Sequence, residues 1–62
     1  MNIKTVSRAK TAGEATQYAI DWQIWQGEQS LSYGELAEWQ EVFSKLAKKY
    51  NLTKVFKENG II

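Results

Sequence analysis

The clearest pattern in the chain begins at Leu36. Apolar residues recur there at spacings of three and four, through Trp39, Phe43, Leu46 and Tyr50, with Ala47 beside the stripe. That period belongs to one face of an α-helix. Glu38, Glu41, Lys45, Lys48 and Lys49 lie away from it. Ser32-Tyr33-Gly34-Glu35 precedes the stripe as a capping box, in which the Ser and Glu side chains satisfy free amides reciprocally. Leu31 and Leu36 complete a hydrophobic staple around it. Acids lie early and lysines late, as the helix dipole favours, and Glu41 with Lys45 forms an exposed i,i+4 pair. The pattern predicts a helix over 33–50.

An earlier helix follows from the same reasoning. Thr11-Ala12-Gly13-Glu14 reads as a second capping box, and Ala15, Tyr18, Ala19, Trp22 and Trp25 share a face. Ser7 or Thr5 could cap an earlier start, but Gly13 inside a longer helix would cost about 1 kcal/mol, which favours Thr11. Gly27 offers a stop in the left-handed conformation. The short linker from Gly27 to Leu31 makes the two helices antiparallel neighbours. Beyond Tyr50 the chain turns at Asn51, and Thr53 is placed to cap a short helix over 54–58. With Gly60 left-handed, Ile61 would fold back toward Phe56 in a Schellman ending. The fold class is therefore all-α: an antiparallel two-helix hairpin with a short C-terminal third helix, suited to dimerising into a helical bundle. Residues 1–10 form an N-terminal arm of undetermined order before a single helical domain over 11–62.

Ile20 and Ile24 interrupt this order. They point away from the main stripe, where an apolar side chain forfeits roughly 1.5–3 kcal/mol of burial. The N-terminal arm with Ile3 and Val6, the third helix, or another molecule should cover them.

Composition narrows the chemistry. Sixty-two residues allow one domain near the lower size limit for folding without staples. There is no Cys and no His, which removes disulfides, the usual zinc environments and the commonest activated nucleophiles. No apolar run approaches eighteen residues, so no membrane-spanning helix is expected. MNIKTVSRAK has no apolar signal-peptide core, which points to the cytoplasm. Glu14, Asp21, Glu28 and Glu35 recur every seven residues, but Glu14 and Asp21 on one helix lie about 10 Å apart by its rise. They read as a solvated face. No phosphate-binding loop or calcium loop is present, so no enzyme, cofactor or metal is expected.

Charge is segregated along the chain. Residues 1–10 carry +3, residues 11–44 carry −6 with no basic residue, and residues 45–62 carry +4, for the net +1. Such asymmetry can mark a binding surface. Lys45, Lys48, Lys49, Lys54 and Lys57, with Tyr50 and Phe56 among them, could meet nucleic-acid phosphates. Lysines are also ordinary at a helix C-terminus, and the core claims both aromatics, so this is the second reading. Ser32 to Ala37 resembles the opening of a helix-turn-helix, yet the helical pattern runs unbroken to Tyr50 where a turn is needed. The first reading is protein contact. Trp and Tyr are favoured interface anchors, and Trp25 stands at the edge of its stripe beside Ile24. The candidate interface is Ile20, Asp21, Ile24, Trp25 and Glu28, facing a second copy or a host protein.

The run LSYGELAEWQEVFSKLAKKYNL with the ending FKENGII resembles small uncharacterised proteins encoded by phages and prophages of Gram-positive bacteria. The resemblance covers Leu31 to Ile62, about half the chain. It implies intracellular action as a small regulatory or host-modifying protein and supplies no site residues.

Overall fold

The computed structural model describes all 62 residues, of which 73% are helical and none form strands. Four helices follow one another: α1 (Ile3–Ser7), α2 (Ala12–Gly27), α3 (Tyr33–Tyr50) and α4 (Thr53–Glu58). The two long ones are the hairpin that the apolar periodicity predicts. Their antiparallel register is visible in the aromatic contacts, since Trp25, late in α2, meets Trp39, whereas Trp22 reaches on to Phe43.

Local chemistry explains most boundaries. Ser32 forms the full capping box, its Oγ accepting from the Glu35 N–H at 3.2 Å while Glu35 accepts from the Ser32 N–H at 3.4 Å. Thr11 caps α2 by accepting from the Glu14 N–H at 3.1 Å, but Glu14 does not return the bond. Asn51 ends α3 in the left-handed conformation, φ 57°, and the Leu52 N–H closes the turn on the Ala47 carbonyl at 2.8 Å. The C-terminus is a Schellman ending. Gly60 has φ 72°, the Ile61 N–H bonds the Phe56 carbonyl at 2.8 Å, and Ile61 is buried. Any side chain at Gly60 would be strained, so Gly60→Ala should cost about 1–2 kcal/mol in urea unfolding.

Two boundaries differ from the expectation. Gly27 stays inside α2, and Glu28 closes the helix with right-handed geometry, φ −97° and ψ −3°. The Glu28 and Gln29 N–H groups reach back three residues to Trp25 and Gln26, tightening the last turn so that no left-handed residue is required. Thr53 does not cap α4, which begins one residue earlier than read, with Leu52 at the cap position and no side-chain bond. The turn at Asn51 delivers the Leu52 carbonyl directly to the Phe56 N–H at 2.9 Å, so α4 starts from the preceding turn.

The N-terminal arm forms α1. Asn2 caps it, its side chain accepting from the Lys4 N–H at 2.9 Å. Five residues cannot hold a helix alone. Packing holds this one: Val6 and Ala9 are buried in the same core as the hairpin, and the Tyr50 hydroxyl donates to the Ala9 carbonyl at 2.7 Å. Phe43 lies at the centre of that core, fully buried. Its ring stacks on Trp39 at 5.9 Å and meets Trp22 and Phe56 edge-on at 5.3 and 6.0 Å. Ala15 and Ala47 are also fully buried in this core. The core holds no charged side chain, and the buried Trp22 indole Nε1–H finds no acceptor.

Candidate interaction surface

Helix geometry divides the expected interface in two. Residues 20 and 24 are one turn apart, and both isoleucines stand on the outer face of α2, 47% and 65% exposed. The N-terminal arm does not cover them, because Val6 and Ala9 carry it into the core elsewhere. Helix α4 reaches only one edge. Ile20 shares a shallow groove of about 60 Å³ with Val55, and Phe56 and Ile61 form its floor. The Gln23 side chain donates to the Asn59 carbonyl across the same seam and holds α4 there. Val55 itself is 40% exposed and extends the apolar strip beyond Ile20.

Trp25 belongs to the other side. It is half-buried, 100° around the helix from Ile24, with its ring 5.8 Å from that of Trp39. It lines a depression with Met1, Ile3 and Glu35. Much of its area is thus spent on the aromatic cluster. The acidic members of the set are solvated: Asp21 accepts from the Gln17 side chain at 3.0 Å, and Glu28 is exposed at the end of α2. The observed outer strip is therefore Ile24, Ile20 and Val55, with Asp21 and Glu28 along one flank. Val55 was not singled out from the sequence, since its six-residue helix is too short to display a face.

All five lysines of the second reading are exposed. Lys45 pairs with Glu41 at 3.3 Å, and the Lys49 Nζ stands 5.3 Å from the centre of the Tyr50 ring. The two aromatics among them are turned inward: Phe56 is buried, and Tyr50 is half-buried with its hydroxyl bonded. No three acidic side chains converge to form a metal site, and no helix is long and apolar enough to cross a membrane. Comparison with protein-family models, with curated proteins and with solved structures returned no match.

Proposed function

We propose that this protein is a small non-enzymatic module of accessory or regulatory type, working in the cytoplasm through protein–protein contact on the outer face of α2. One observation carries the reading. Ile20, Ile24 and Val55 form a continuous exposed apolar strip in a molecule whose other large aliphatic side chains, Met1 excepted, are buried or only partly exposed. Covering each isoleucine in a contact recovers part of the roughly 1.5–3 kcal/mol that full burial offers. The resemblance of Leu31–Ile62 to phage-encoded proteins supports the accessory role.

A second copy is the first partner to test. If two α2 helices pair antiparallel about a twofold axis, the same flank of each comes together, so the acidic flank of Asp21 and Glu28 faces its own counterpart. Like charges at such a rim oppose association, and salt relieves the opposition. A heterologous partner with a basic rim would behave in the opposite way, binding less well as salt rises. Sedimentation equilibrium at micromolar concentrations should show a dimer that strengthens with salt. Ile24→Lys should weaken it at least tenfold, about 1.4 kcal/mol, while leaving the helical circular dichroism unchanged. A parent chain that stays monomeric at every salt concentration removes the second copy. Equal association by Ile24→Lys and the parent removes the surface itself.

A further inference from the structure

Folding brings most of the two basic blocks of the sequence to one end of the molecule, where Glu14 in the first turn of α2 and Glu58 at the end of α4 also lie. The bond from the Tyr50 hydroxyl to the Ala9 carbonyl fixes residues 8–10 at the C-terminal end of α3. Arg8 and Lys10 flank that carbonyl, and Lys48 and Lys49 occupy the last turn of the helix they reach. Only Asn51 and Leu52 separate α3 from α4, which adds Lys54 and Lys57 to the same end. Lys4 and Lys45 lie apart from this group, in a depression that Glu38 and Glu41 also line. Two basic side chains of residues 1–10, Arg8 and Lys10, thus join four of residues 45–62, Lys48, Lys49, Lys54 and Lys57. Glu28 and Glu35 lie at the far end, around the connection between α2 and α3. Of the eight basic side chains, Lys45 alone is in an ion pair.

Fold stability accounts for only part of this concentration of charge. A helix C-terminus favours cations within its last turn, which explains Lys48 and Lys49. Arg8 and Lys10 are brought there by a backbone carbonyl and by buried Val6 and Ala9, none of which needs their charge. The geometry points to a phosphate-binding pole for duplex nucleic acid, composed of Arg8, Lys10, Lys48, Lys49, Lys54 and Lys57. A duplex presents one negative charge per roughly 1.7 Å of its axis, so a surface of this size can meet several phosphates at once. The molecule measures 29 by 23 by 18 Å.

The surroundings select the duplex over other polyanions. Single strands are held by exposed aromatic rings that stack on the bases, and here Phe56 is buried and the Tyr50 hydroxyl is engaged internally. A membrane-surface helix needs apolar residues beside its cations. The most exposed isoleucine, Ile24, instead has Asp21 and Glu28 for neighbours, which anionic headgroups repel. Contacts made only to phosphates carry no base sequence, so binding should be indifferent to sequence. This surface adjoins the apolar strip at Val55, which follows Lys54 on α4, but does not depend on it.

Fluorescence anisotropy with the full chain and a labelled duplex of roughly 20 base pairs tests the assignment across a salt series, with single-stranded DNA and anionic vesicles as parallel arms. Log affinity for the duplex should fall with log salt at a slope of about −4 or steeper. Arg8→Gln with Lys10→Gln should make the slope shallower by roughly 2, as should Lys48→Gln with Lys49→Gln, each double variant keeping its helical circular dichroism. Glu28→Gln with Glu35→Gln, at the opposite end, should leave the slope unchanged. No duplex binding at low salt overturns the proposal, as does tighter binding to single strands or vesicles. A loss confined to the Lys48 and Lys49 variant also overturns it, because the claim is that the fold recruits Arg8 and Lys10.

Discussion

Phe43→Ala should leave this protein largely unfolded at room temperature. The side chain is fully buried and contacts Trp39, Trp22 and Phe56, so its removal takes the centre out of the aromatic cluster. Truncation of a buried Phe costs about 3–5 kcal/mol, the upper part of the range applying where neighbours cannot collapse into the space. Here the neighbours are two indoles and a phenyl ring on three different helices, and each is already fixed by other contacts. A chain of 62 residues has only about 3–9 kcal/mol of total stability at the usual value per residue, so one such loss consumes most of it. Leu36→Ala is the internal control. Its periodicity on α3 is the same, but the side chain is only half-buried near the start of the helix, and the change should cost about 1–2 kcal/mol. Urea unfolding followed by tryptophan fluorescence separates the two. A Phe43→Ala midpoint equal to that of the parent would mean that the three rings do not pack as described.

The contrast between those two residues shows what the sequence could reveal. The period of α3 correctly assigned both to one face, but a period does not register depth, and the first turn of a helix at the edge of a small domain is shallow. Ser32, Asn51 and Gly60 were legible for a different reason: each acts on its own neighbouring backbone, through a cap or a left-handed turn, so short-range chemistry decides the outcome. Ile20 and Ile24 were legible as a conflict between residue type and position, and both remain exposed. What depended on contacts between distant segments was hidden. Helix α1 has too few residues to show a period, and it exists because Val6 and Ala9 are buried against residues forty positions later. Val55 becomes part of the apolar strip only because Gln23 bonds Asn59 and fixes α4 beside α2. The basic pole was divided into two blocks until the Tyr50 hydroxyl met the Ala9 carbonyl.

Helix α1 is also where a single substitution should couple stability to charge placement. Val6 is 1% exposed, and Val6→Asp would place a carboxylate in a core that contains no charged partner. An unpaired buried charge costs more than the site can sustain, so the segment will leave the core instead of burying the carboxylate. The penalty is then limited by the free energy of undocking α1. That comprises about 1.5–3 kcal/mol for the valine side chain, which is no longer covered. Loss of the bond from Tyr50 to the Ala9 carbonyl adds about 0.5–1.5 kcal/mol. The expected cost of about 2–4 kcal/mol leaves α2, α3 and α4 assembled but marginal, with a lower urea midpoint and a small loss of helical signal. Val6→Ala keeps the segment apolar and should cost less, because α1 can remain docked over a small cavity. Amide hydrogen exchange distinguishes the two changes. In Val6→Asp, protection should vanish at Val6, Arg8 and Ala9, whose N–H groups bond Asn2, Thr5 and Val6 in the parent, while the centre of α3 stays protected. If α1 stays protected in Val6→Asp, or if α3 opens together with it, α1 is not the separable element that its short length and few anchors indicate.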